Sequence, residues 1–120
     1  MAIIPVVRCR DLKISLPFYT SVLDFIRIDG DEDSGYAVLS RAGDHLFLST
    51  GTGDGEFGQA IVVMTEDIDP LWEKFRGRGH VPPDREGPVH QGPTDQTWGT
   101  REFYVDDPDG NTLRFTQSHR

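Results

Sequence analysis

Near the C-terminus, two segments with strand-like alternation carry side chains suited to recognition chemistry. Glu102 and Tyr104 alternate with Phe103 and Val105, and Arg114 sits between Leu113 and Phe115. Successive strand residues point to opposite faces. With Phe103, Val105, Leu113 and Phe115 turned toward helices, Glu102, Tyr104 and Arg114 share the other, open face. Arginine stays protonated and presents five donors. Burying it without a carboxylate is very costly, and Glu102 is the expected partner. The pair either closes the floor of a hollow as a plain salt bridge or orients a ligand there.

Five aromatic residues extend this candidate site: Tyr36, Phe47, Phe57, Trp98 and Tyr104. Aromatic walls hold flat, partly cationic ligands by stacking and cation–π attraction, roughly 0.5–2 kcal/mol per contact. Each ring taken alone also suits a core or a dimer interface. His45 lies two residues before Phe47 and so shares its strand face, as a general base or as a cavity wall. His90, in a long loop, and His119, in the tail, are expected to be solvated. His80 follows a helix, where a partial positive charge at the C-terminus is favourable.

Other chemistries are absent from the pattern. The chain has 120 residues and one cysteine, Cys9, in the strand-like VVRCRD. An internal disulfide and a cysteine-rich zinc cluster are therefore excluded, and Cys9 is expected to be a buried, inert thiol. There is no Ser-His-Asp set, phosphate-binding loop or dinucleotide fingerprint. GTGDGEFG (51–58) has scattered glycines but lacks the strand-to-helix context that phosphate binding needs. The formal net charge of −8 argues against nucleic acid and anionic membranes as partners. No apolar run is long enough to span a bilayer, and a cytoplasmic location is the expectation.

The elements that position these residues come in two copies. VVRCRDLKISLPFYTSVLDF (6–25) and IVVMTEDIDPLWEKFRGRGH (61–80) align at an offset of 56 residues. Asp67 then falls on Asp11, Ile68 on Leu12, Trp72 on Leu16 and Phe75 on Tyr19. Each copy reads as an apolar strand, an acidic residue and an amphipathic helix. Leu12, Leu16, Tyr19 and Leu23 have helical spacing after the N-cap Asp11, with Pro17 inside the pattern delaying the regular helix. The second helix is read as capped by Asp69, with Pro70 in its first turn and Gly77 or Gly79 at its end. Strands are expected at 25–29, 36–40 and 45–49, and again at 81–85, 100–106 and 112–116. Each half is βαβββ. The whole is read as a single domain, 1–120, with modules of about 1–50 and 59–120 joined by the loop 51–58. The Gly- and Pro-rich loop 84–99 is long enough to suggest function.

The doubled βαβββ pattern, together with RDLKISLPFYTSVLDF, HLFLS and WGTREFYVDDPDGNTLRF, resembles the vicinal oxygen chelate superfamily. That group includes glyoxalase I, extradiol dioxygenases, fosfomycin-resistance enzymes and bleomycin-resistance proteins. The chain is most similar to the last of these, through Trp98-Gly99 before the penultimate strand and the aspartate-proline turn. The resemblance implies an α+β fold whose two modules form a curved half-barrel. It also implies a homodimer with shared sheets and clefts at the subunit boundary, and leaves open whether the N-terminal strands are exchanged. Metal-dependent members place ligands at positions that fall here on Ile4, Phe47, Ala60 and Arg114. None can ligate a divalent cation, so neither a metal, another cofactor nor a catalytic residue is expected. The implied function is non-catalytic sequestration of a bleomycin-type glycopeptide antibiotic. Its site would comprise Tyr36, His45, Phe47, Phe57, Trp98, Glu102, Tyr104 and Arg114, with Asp54, Glu56 and Glu102 facing a cationic tail. Two alternatives stay open: a glyoxalase- or dioxygenase-like metalloenzyme using displaced ligands such as His45, Glu102 or His90, and a binder of another small aromatic metabolite.

Overall fold

Asp11 and Asp67, superposed by the internal repeat, both stand at helix N-caps in the computed structural model, which describes residues 1–118. Asp11 accepts a hydrogen bond from the Lys13 N–H at 3.0 Å, pairing one of the donors a helix start leaves open. Helix α1 (Leu12–Pro17) follows at once. Pro17 therefore does not delay the helix. It ends the regular part, because it has no N–H to give to the preceding turn. The chain continues as a wider π turn over Phe18–Val22, in which the Leu23 N–H donates to the Phe18 carbonyl at 3.3 Å.

Helix α2 spans Ile68–Gly77. Asp69 is not its cap. Arg101 holds that carboxylate through Nε at 3.1 Å and Nη2 at 2.8 Å. The first helical donor, the Ile68 N–H, goes instead to the side-chain oxygen of Gln117 at 2.9 Å.

The chain divides into two compact units: residues 1–59 with 107–111, and 60–106 with the segment from 112 onward. In the first, strands β1 (Val6–Arg8), β2 (Ile26–Asp31), β3 (Tyr36–Arg41) and β4 (Asp44–Ser49) form a sheet of order β1-β4-β3-β2. In the second, β5 (Ala60–Met64), β6 (Thr94–Asp95), β7 (Thr100–Asp106) and β8 (Thr112–Ser118) form a sheet of order β5-β8-β7-β6. The outer pairs β1–β4 and β5–β8 are parallel and the rest antiparallel. The fold class is thus α+β with two βαβββ modules of identical strand order.

Each helix covers one sheet face. In the first unit Leu12, Tyr19, Leu23, Leu39 and Leu48 are fully or almost fully buried. In the second, Phe103 and Phe115 stack at 5.0 Å between ring centroids, and Phe75 and Trp72 of α2 pack edge-on against them. The repeat pair Tyr19 and Phe75 therefore fills corresponding core positions.

The expected strand at 81–85 does not form. Pro82 and Pro83 remove two consecutive ladder donors, and the strand beside β7 is supplied later by Thr94–Asp95. His80 and His90 also differ from expectation. His80 is buried, its ring edge-on to Trp72 and its Nε2 without a partner. Burial, then the Arg76 charge, hold its pKa below the usual histidine value, so the neutral form is favoured at this helix end. His90 is not solvated: it ends a short 3-10 turn (Pro88–His90), is buried, and contacts Asp106 through Nε2 at 3.1 Å. His119 lies outside the described residues.

The turn Asp107–Asn111 is dense in hydrogen bonds within the first unit. Asp107 accepts from the Tyr19 hydroxyl at 2.7 Å and from the N–H groups of Asp109 and Asn111, each at 2.9 Å. Asp109 accepts from Ser15 at 2.9 Å and from Arg10 at 3.1 Å. Asn111, fully buried, accepts from the Gly58 and Gln59 N–H groups and donates to the Arg8 carbonyl, all at 3.0 Å. Cys9 is buried, and burial followed by the Asp109 charge raises its thiol pKa to about 11, which makes it inert. Replacing Asn111 by alanine strands several backbone groups at once. Urea denaturation is expected to show a loss of about 2–3 kcal/mol; an unchanged midpoint would show the turn to be peripheral.

Candidate functional site

The register of the second sheet assembles a polar centre on the face away from α2. Glu102 pairs with Thr116 and Tyr104 with Arg114 across β7 and β8, and Val62 of β5 flanks Arg114. Glu102 is 1% exposed. One of its oxygens accepts from Trp98 Nε1 at 3.0 Å and from the Thr100 hydroxyl at 2.7 Å. The other accepts from Arg114 Nη2 at 3.2 Å and from the Thr116 hydroxyl at 3.3 Å. Three committed donors, with the single Thr116 hydroxyl proton shared with the nearer Arg114 carbonyl at 3.1 Å, fill most of the approximately four acceptor sites of a carboxylate. Burial makes the charge costly, yet the donors from Thr100, Arg114 and Trp98 outweigh it, and the pKa of Glu102 lies below the usual glutamate value.

Around this centre the chain exposes a different set of groups. The Trp98 ring is 59% exposed although its N–H is fixed. The Arg114 side chain is 34% exposed and lies 5.0 Å above the Tyr104 ring centre. The third polar group on the face, Asp106, is occupied by Arg85 at 2.6 Å, Thr112 at 2.8 Å and His90 at 3.1 Å. His90 also meets the Tyr104 ring edge-on, with centroids 5.6 Å apart.

The first unit has its own open face. Tyr36 and Phe47 stack at 5.5 Å with rings nearly parallel. Phe47 pairs with Val38 of β3 and Val6 of β1, and His45 pairs with Ser40. Gly30 protects this arrangement: at φ +70° a Cβ there would strike the Tyr36 carbonyl and lie 2.9 Å from its ring, so only glycine fits. Phe57 is placed differently, with the Arg10 and Arg8 guanidinium carbons 3.9 Å and 4.7 Å from its ring centre. Asp54 and Glu56 are exposed.

The structure thus groups Trp98, Glu102, Tyr104 and Arg114 on one face of the second unit, and Tyr36, His45 and Phe47 on one face of the first. Alternation in the sequence signals these groupings. It does not signal Thr100 and Thr116, the hydroxyl donors to Glu102, or the Arg8–Phe57–Arg10 cluster. Threonine is a common strand former, so its donor role shows only in three dimensions.

The four positions expected from the resemblance to correspond to metal ligands are poorly suited to a cation. Ile4, Phe47 and Ala60 have no lone pair to give, and Arg114 brings a positive charge. Among the described residues no group of three or more His, Cys, Asp or Glu side chains could hold a metal ion. Of the displaced ligands His45, Glu102 and His90, the last two are already engaged by protein partners, and His45 stands opposite Ser40 in the first sheet, outside any group of three or more such side chains among the described residues. A metal at this position does not fit the donors present.

The doubled module, its strand order and this site define a known class. The chain belongs to the glyoxalase/bleomycin resistance protein/dioxygenase superfamily, whose family model matches residues 4–115. Among solved structures it is similar to a bleomycin resistance determinant encoded on the transposon Tn5, at 23% identity and TM-score 0.81, covering 100% of this chain and 99% of that one. It is also similar to the bleomycin-binding protein of bleomycin-producing Streptomyces verticillus complexed with copper(II)-bleomycin, at 26% identity and TM-score 0.72, covering 98% and 96%. A bleomycin-binding protein complexed with bleomycin matches at 24% identity and TM-score 0.78, covering 98% of each chain. No curated protein sequence matches the chain. No helix among the described residues is long and apolar enough to cross a membrane.

A carboxylate whose folded pKa is depressed stabilises the fold above its unfolded value, about 4.3 for glutamate, and loses that contribution as pH falls through the folded value. Glu102→Gln is therefore expected to cost about 2 kcal/mol at pH 7, less than a fully buried pair because Arg114 is partly solvated. Its deficit relative to the parent is expected to shrink as pH falls below 4.3. Urea titrations at pH 7 and pH 3 check this, and a constant deficit would contradict the role given to the charge.

Proposed function

We propose that this protein binds a bleomycin-type glycopeptide antibiotic and sequesters it, without catalysis and without a metal of its own, as a homodimer. The observation that carries the reading is the Trp98 indole. Its N–H is anchored to a sealed carboxylate while its ring is held out to solvent. A ring fixed in that way is a stacking surface whose ordering cost is met before a ligand arrives. Tyr36 and Phe47 present a second aromatic surface on the first unit. The exposed carboxylates Asp54 and Glu56, in a chain of net charge −8, suit the cationic tail of such an antibiotic. The relatives whose structures are described as bleomycin-binding support the same reading.

A homodimer is supported by what the first sheet leaves uncovered. Ile4, Val6, Ile26 and Ile28 are exposed, and β2 is an edge strand. Apolar surface and open edges of that kind favour association. Protection of a cell would follow from lowering free drug, so affinity and protein concentration set its extent.

Calorimetric titration with metal-free bleomycin tests the reading. Saturable binding is expected, unaffected by chelator, with Trp98→Ala weakening affinity about tenfold, the equivalent of 1.4 kcal/mol and within the range of one aromatic contact. Absence of heat and of any melting shift at high ligand excess would reject the antibiotic. Equal affinity in Trp98→Ala would reject the tryptophan surface.

A further inference from the structure

We propose that Arg114 is an anion subsite, and that the open face of the second sheet recognises a flat aromatic ligand by a carboxylate or an equivalent anionic oxygen pair. The inference rests on the reading that this face holds a small molecule, but not on that molecule being an antibiotic.

The argument is one of acceptors and donors. An acidic chain suggests a preference for cations, and the face does carry two carboxylates, Glu102 and Asp106. Both are largely engaged. Glu102 has donors from Trp98, Thr100 and Arg114, the Thr116 hydroxyl nearby, and 1% exposure. Asp106 accepts from Arg85 and Thr112 and contacts His90. A cationic ligand group therefore finds little acceptor capacity left on these side chains.

Arg114 is in the opposite condition. It offers five N–H donors; one goes to Glu102 through Nη2 and another interacts with the Tyr104 side chain, which leaves donors for a ligand. Its Nε is buried and has no partner, an unmet donor of the kind that native structures seldom leave. Its charge is secure: burial opposes it, but the Glu102 bond and the neighbouring Tyr104 more than compensate, raising its pKa. The guanidinium also lies in a frame suited to a flat acid. Tyr104 is beneath it, and on β5 the flanking Val62 and the nearby Met64 are 53% and 60% exposed. Guanidinium pairs with carboxylate through two parallel hydrogen bonds, and the apolar frame strengthens such bonds by lowering the local dielectric. Glu102 is then a positioning residue: it sets the plane of Arg114 and the ring of Trp98 from one buried carboxylate.

Benzoate and benzamidine provide the test, since they share a ring and differ in the sign of the attached charge. Calorimetry on the intact protein is expected to show millimolar binding of benzoate and none of benzamidine. Arg114→Gln is expected to weaken benzoate at least tenfold, with far-ultraviolet circular dichroism confirming the fold. Binding of benzamidine in preference to benzoate, or no benzoate binding at all, overturns the subsite on the parent protein alone. Undiminished benzoate affinity in a folded Arg114→Gln overturns it too. Titration of metal-free bleomycin in parallel keeps the two readings apart. Benzoate binding that depends on Arg114, without bleomycin binding, upholds the subsite and removes the antibiotic. Bleomycin binding without any benzoate binding does the reverse.

Discussion

One buried carboxylate organises the second unit's open face. Glu102 sits within β7 with donors from Trp98, Thr100 and Arg114 converging on it and the Thr116 hydroxyl beside them. An ionised group with 1% exposure is tolerable only when its lone pairs are filled. Filling them fixes the donors. The indole of Trp98 acquires a set orientation, and Arg114 is drawn toward the sheet, bonded to Glu102 and Tyr104 with donors left over. The same saturation that stabilises the charge removes Glu102 as a ligand for metals or cations. Stability and binding chemistry on this face therefore have one cause.

The repeated module explains how so small a chain provides such a face. A βαβββ unit covers one side of its sheet with a helix and leaves the other side open. The aromatic stack of Phe75, Phe103 and Phe115 secures the covered side. Strand alternation then dictates that Glu102, Tyr104 and Arg114 face the other way. In the first unit the corresponding open side carries Tyr36 and Phe47, with Gly30 leaving space for the tyrosine.

Much of this was legible in the sequence because it depends on period. Alternation around Phe103 and Leu113, and the 56-residue repeat that sets Asp67 on Asp11, lead to the doubled module and the Glu102–Arg114 pair. What was not legible depends on competition between partners. Asp69 looks like a cap by composition, but Arg101, distant in sequence, takes its carboxylate. His90 reads as a loop residue and is buried against Asp106. The strand expected at 81–85 follows from its place in the repeat, but Pro82-Pro83, two consecutive residues without N–H, cannot join a ladder. Pro17 misled in the other direction: proline is tolerated at the last turn of a helix that then widens.

The most direct test of the central claim is the NMR signal of the Trp98 indole N–H, which reports on Glu102 and on the open face together. With the carboxylate filled and the face built for a ligand, the signal should be slow to exchange with solvent. It should shift on addition of metal-free bleomycin, and stay sharp with stoichiometric Mn²⁺. Rapid exchange, or broadening by Mn²⁺ alone, would mean that Glu102 is free to take a cation, and the account would fail at its centre.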